Sequence, residues 1–227
     1  MPAASTILRG RTLRSLPGRA GMLVAGELVA TFCYALTIKA GLGLGPLFVL
    51  QVGVARLAGI AIGTAVIVVG FALVGLSMSL RSWPGPGTLL LPVLGGLSLD
   101  AMLPHLPTLH GWLLRLATVV VATWVMALGG ALVIRASVGV DAYDAVMMGL
   151  HRIVGRPLGP IRLAMEATAL AAGWLLGGPV GVGTVITGLL IGPGLQFWMR
   201  VVGAPTGAGR PPVPDPGSGT AALPATT

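Results

Sequence analysis

Apolar residues along the chain come in long runs separated by short polar gaps, and the lengths of those runs decide the class of fold. A helix needs about 20 mostly apolar residues to cross the hydrocarbon core of a bilayer. Ala20 to Ile38, Ile60 to Leu80 and Leu113 to Ile134 meet that length cleanly, and Leu158 to Gly177 meets it with a charged pair inside. Thr88 to Leu103 and Val182 to Met199 are shorter, and both are interrupted by Gly and Pro. The pattern predicts an all-α fold, a polytopic bundle of six transmembrane helices. Composition agrees: 55% of the 227 residues are hydrophobic and 9% are charged, against roughly 25% charged in an average soluble domain. No soluble fold of this size hides so much apolar surface. The chain is also too apolar for a disordered one, and the single Cys33 excludes a disulfide scaffold.

The net charge of +8 changes the picture through its placement. The positives sit at the ends of apolar segments instead of on one solvated face, so they signal topology and not nucleic acid. With a cytoplasmic N-terminus, Arg9, Arg11, Arg14, Arg19, Arg81, Arg135, Arg152, Arg156, Arg162, Arg200 and Arg210 fall inside, and Lys39, Arg56 and Arg115 fall outside. The positive-inside rule therefore predicts a multi-pass membrane protein with both termini cytoplasmic. A basic start before an apolar run also fits a signal peptide, but no small-residue cleavage site ends that run, so a retained first helix is expected. The organisation reads as a basic N-terminus (1–19), a first membrane repeat (20–110), a second (111–201) and a disordered Pro-, Gly- and Ser-rich tail (202–227).

The two repeats rest on a gapless register. Gly43, Gly53, Arg56, Gly59 and Gly63 recur as Gly139, Gly149, Arg152, Gly155 and Gly159, each 96 positions later. The same offset relates Gly85, Gly87 and Thr88 to Gly181, Gly183 and Thr184. Three spans per copy is an odd number, so the second copy must enter the membrane from the opposite side, giving inverted repeats as in many secondary transporters. Each copy also holds a segment too long for a turn, 41–58 and 137–156. A short interfacial or re-entrant helix is expected in both, because Asp141 and Asp144 make a lipid-exposed span improbable. The third span of each copy carries Gly95-Gly96 after Pro92, or Gly192-Pro193-Gly194. Broken helices at matching places would free backbone carbonyls, so Gly95, Gly96, Gly192 and Pro193 become candidate backbone sites. Close helix packing through glycine is the competing explanation.

Of the six acids, Glu27, Asp100 and Glu166 lie inside predicted spans, where an ionisable group is costly and marks an ion, proton or substrate path. Arg162 and Glu166 are four residues apart and can pair on one helix face. Glu27 shares a stripe with Thr31 and Tyr34, without a base at pairing distance on its own helix. Asp100 lies within reach of Arg115 or Lys39, and a structural ion pair is expected there. The candidate path is therefore Glu27, Asp144, Arg162 and Glu166. Enzymatic motifs are missing: His105, His110 and His151 lack metal-ligand spacing, and no nucleophile pairs with a base. No catalytic residue, metal or cofactor is expected.

The second copy strings together Gly139, Asp144, Gly149, Glu166, Gly173-Trp174-Leu175-Leu176-Gly177-Gly178 and Val180-Gly181-Val182-Gly183-Thr184. The first supplies Gly41, Gly43, Pro46 and Gly53. From about Gly26 to Arg200 this resembles the YczE/YyaS/YitT-type bacterial integral membrane proteins, whose halves open on a Gly-x-Gly-x-x-Pro-x-Asp-like turn before a helix. Phe48 and Ala142 depart from that pattern, so a function needing two symmetric aspartates is left with Asp144 alone. The resemblance implies a helical membrane fold and points toward transport. The expected function is that of a small-solute or ion-coupled transporter with its site between the repeats, in contact with the lipid bilayer and an unidentified solute or ion. The sequence leaves a homo-oligomer open. The alternative is a non-transporting accessory or scaffold protein that acts through the amphipathic helix from Asp141 to Val154.

Overall fold

A computed structural model describes residues 16–139 and 141–204, so the first 15 residues of the basic N-terminus and the tail beyond Ala204 lie outside the described residues. All regular structure among these residues is helical. In order come α1 (Leu16–Ala40), α2 (Pro46–Ala58), α3 (Ile62–Ser79), α4 (Pro86–Met102), a 3-10 turn (Leu103–His105), α5 (Trp112–Ala136), α6 (Ala142–Val154), α7 (Leu158–Leu175) and α8 (Val182–Val202). The first four helices begin at Leu16, Pro46, Ile62 and Pro86, and the next four begin 96 residues after each. Local chemistry sets these boundaries. Pro46 supplies a fixed φ to the first turn of α2, and Asp141 caps α6 by accepting from the Tyr143 amide at 3.0 Å. Both short helices end on a left-handed glycine, Gly59 at φ 65° and Gly155 at φ 66°.

Helices α1, α3, α4, α5 and α8 are long and apolar enough to cross a membrane. The 18-residue α7 is not among them, because Arg162 and Glu166 lower its hydropathy. At about 1.5 Å per residue, the 13-residue α2 and α6 reach only about 20 Å and are too short to span.

Packing exchanges partners between the copies. Helix α1 lies against α5, α2 against α7, and α6 against α3. The α1 and α5 pair is antiparallel and closed by matched arginines. Near the start of α1, Arg19 donates from Nε to the Ala136 carbonyl at 2.8 Å and from Nη2 to the Ser137 carbonyl. Near the start of α5, Arg115 donates to Ala40 at 2.5 Å and to Gly41 at 2.8 Å. Each guanidinium thus answers the free carbonyls at the other helix's C-terminus. The loops repeat the exchange: Gly183 N donates to Leu42 O at 2.7 Å, and Gly87 N to Val138 O at 3.3 Å. Gly26 and Gly129 let α1 and α5 touch backbone to backbone, since a Cβ on Gly26 would stand 2.7 Å from the Gly129 carbonyl.

One seam breaks the correspondence. Helix α3 packs closely on α4, where a Cβ on Gly63 would run into the Gly96 carbonyl and one on Gly70 would meet Pro92 at 2.5 Å. The equivalent Gly159 and Gly192 have nothing within 4 Å of such a Cβ, and no comparable packing joins α7 to α8. Two expectations are corrected here. The third spans are not broken: Pro92 and Pro193 sit inside the continuous helices α4 and α8. A proline removes one amide from the ladder, and the helix carries on through that loss. Gly95 and Gly96 serve close approach instead, with Gly95 facing Glu27, while Gly192 faces open space and Pro193 is simply helical. Asp100 makes no ion pair among the described residues. It accepts from Gly63 N at 2.7 Å and Thr64 N at 3.1 Å, anchoring the free N-terminal amides of α3, because Arg115 is already held by Ala40 and Gly41.

Candidate functional site

A cavity of about 310 Å³ lies where the two copies meet, at the small end of the range of ligand pockets. Its walls follow the repeat. Ala30, Gly45, Pro46, Leu47, Phe48, Val66, Gly70, Leu91 and Gly95 line it together with their equivalents Met126, Asp141, Ala142, Tyr143, Asp144, Arg162, Glu166, Thr187 and Ile191. Nine pairs of equivalent positions therefore face one space, but they carry different chemistry. Where the first copy presents Gly45, Phe48, Val66 and Gly70, the second presents Asp141, Asp144, Arg162 and Glu166. At these four positions the first copy is apolar and the second charged.

The start of α6 and one face of α7 build the charged wall. Arg162 Nε donates to Glu166 Oε1 at 3.0 Å, the expected pairing across one helical turn, and Arg162 Nη1 lies 3.7 Å from Asp144 Oδ1. Asp144 belongs to another helix, so this triad ties α6 to α7. About a third of each carboxylate side chain is open, and both residues line the cavity. Burial pushes the Asp144 carboxyl above its ordinary range, opposed by Arg162. Asp141 is exposed toward the cavity but ringed by protein, which together with repulsion from Asp144 raises its carboxyl to about 6.

Glu27 enters from midway along α1, beside Thr31, whose hydroxyl donates to it at 3.5 Å. Neither an arginine nor a lysine pairs with it among the described residues. The Tyr34 ring stacks on Phe48 with centroids 3.8 Å apart. Gln51 Oε1 and the Tyr143 hydroxyl, both closed off from solvent, have no hydrogen-bond partner.

The structure brings all four path residues, Glu27, Asp144, Arg162 and Glu166, into this cavity with Gly95, while Gly96, Gly192 and Pro193 do not line it. Asp141, Tyr143 and Gln51 join them. From sequence, Asp141 reads as part of a cytoplasmic face, because nothing local to the chain shows that α6 turns its first residues inward. The offset holds the missing signal: Asp141 matches Gly45 and Asp144 matches Phe48, positions within an apolar stretch. His151 is occupied locally, with its Nδ1 2.7 Å from the Arg156 carbonyl.

Comparison with known proteins adds a family but no chemistry. Residues 18–200 match the model of a family of unknown function, DUF6198. The chain is similar to an uncharacterized membrane protein, YczE, of Bacillus subtilis, with 33% identity over 178 residues covering 76% of this chain and 81% of the relative. It is 27% identical over 167 residues to an uncharacterized protein of Haemophilus influenzae, covering 74% and 77% of the two chains. No solved structure matches.

Proposed function

The chain belongs to this DUF6198 family and is a YczE-type membrane protein, and we propose that it carries a small solute or ion through the cavity between two inverted repeats. The observation that bears this reading is the cavity itself: nine pairs of equivalent positions surround it, and a charged triad stands on one side. Secondary transporters place their sites at such a repeat interface. The antiparallel α1 and α5 pair, with each arginine closing the other helix, is the contact expected of copies related by a two-fold axis in the membrane plane. On this reading α7 is the sixth span, tolerated in the bilayer because its charges face the cavity. The same reading places both termini in the cytoplasm, the side that the arginine distribution favours.

The unequal seams supply the motion. A chain with two equivalent helix pairs, one closed at α3 and α4 and the other parted at α7 and α8, has an alternative in which the two exchange roles. Such an exchange opens the cavity alternately to the two sides of the membrane, as alternating access requires. The scaffold alternative has less support, because Asp141 and Asp144 line the cavity instead of an outer face of α6.

The test needs no known substrate. A cysteine at Thr31, in a Cys33→Ser background, is expected to react with a membrane-impermeant thiol reagent from both sides, in intact cells and in inverted vesicles. Labelling from one side only, or from neither, would sink the transporter and favour the scaffold.

A further inference from the structure

The cavity's chemistry selects its guest, on the premise that it is the transport site just proposed. Four carboxylates line it, Glu27, Asp141, Asp144 and Glu166, against the single guanidinium of Arg162. That guanidinium is spent on Asp144 and Glu166. Asp141 is partly answered by the amides at the start of α6, and Glu27, within electrostatic range of Asp141, has only the Thr31 hydroxyl. An anion would enter against this field, and a neutral solute would leave it unanswered.

Two further observations narrow the cation. Gln51 Oε1 and the Tyr143 hydroxyl are buried and unpartnered, and both residues line the cavity. Gln51 Oε1 can only accept, so a guest that reaches it answers it with an N–H or O–H donor, which a quaternary ammonium lacks. No three acids or histidines among the described residues converge to hold a metal ion. The opposite wall is apolar, with Pro46, Leu47 and Val66 beside the stacked rings of Tyr34 and Phe48. A bare ammonium or alkali ion would leave that wall facing water.

We infer that the cavity takes a small protonated primary or secondary amine with an apolar body. Its ammonium group lies among Glu27, Asp141, Gln51 and Tyr143, and its body rests against Phe48 and Tyr34. The carboxylates answer the charge and the rings cover the apolar body, so the two walls cooperate on one molecule.

The experiment is calorimetric titration of the full chain in lipid nanodiscs with three probes of one shape: 2-phenylethylamine, 2-phenylethanol and phenylacetate. Saturable binding is expected for the amine alone. Glu27→Gln is expected to weaken it about tenfold or more, the loss of one charge-assisted hydrogen bond. Asp141→Asn, which keeps the helix cap, should weaken it similarly. If either variant fails to insert, Tyr143→Phe removes only a hydroxyl and should still lower the affinity. Equal binding of the alcohol or the acid, or amine binding indifferent to all three substitutions, would overturn the assignment. The outcome separates from that of thiol labelling at position 31. Two-sided labelling without amine binding leaves the transporter and removes this substrate class, whereas amine binding with one-sided labelling does the reverse.

Discussion

Leucine in place of Gly96 is expected to cost the protein its fold, whereas leucine in place of Gly192, the same position of the second copy, leaves it folded. At Gly96 the incoming Cβ meets the Gly63 carbonyl and the Ile67 side chain. A backbone carbonyl cannot swing aside, so α3 and α4 must part. Overpacking commonly costs about 1–3 kcal/mol, and separation here also draws Asp100 away from Gly63 and Thr64, losing a cap worth about 1 kcal/mol. At Gly192 the same atoms enter open space. The measurement is thermal denaturation and monodispersity in detergent. Gly96→Leu should yield little folded protein, and Gly192→Leu should melt within a few degrees of the parent. Equal loss in both would mean that α7 and α8 pack as α3 and α4 do. If the seams exchange roles, Gly192→Leu should also hold the second one open, and thiol labelling at position 31 should become one-sided.

The second large effect belongs to Arg162. Arg162→Gln strands Asp144 and Glu166 on one wall beside Asp141, three acids without a base. Removing one member of a fully buried ion pair costs about 3–5 kcal/mol. The open third of these side chains lowers that to about 1–3 kcal/mol. The triple variant with Asp144→Asn and Glu166→Gln removes the stranded charges and is expected to recover most of the stability while leaving solute binding impaired. Stability measured for the single and triple variants decides it: no recovery in the triple would show that the guanidinium matters by packing and not by charge.

How much of this was legible beforehand depends on whether the signal is local. Span positions and the 96-residue offset are patterns along the chain, and α1 to α8 start in that register. The Arg162 and Glu166 pair lies within one helical turn and was equally readable. Contacts between distant segments were not. Asp100 had two bases in sequence reach, yet it caps α3, and Arg115 is held instead by the C-terminal carbonyls of α1. Pro92 and Pro193 looked like breaks because proline chemistry is local, while the packing that carries a helix through it is not. Asp141 points inward for a reason outside α6: the segment folds back between α3 and α7.

The exchanged packing has a consequence for how the chain is made. Helix α2 finds its chief partner in α7, whose first residue, Leu158, leaves the ribosome long after Pro46. Helix α1 likewise waits for α5, whereas α3 meets its chief partner, α4, within the first copy. A nascent first copy therefore holds its short helix and its glycine faces against lipid or insertion machinery until the second arrives. The chief contacts of α1 and α2 therefore form only when the second copy is present. Assembly of the bundle is a late event of synthesis, and a ribosome stalled between the copies would present the membrane with a surface that only the unmade half can cover.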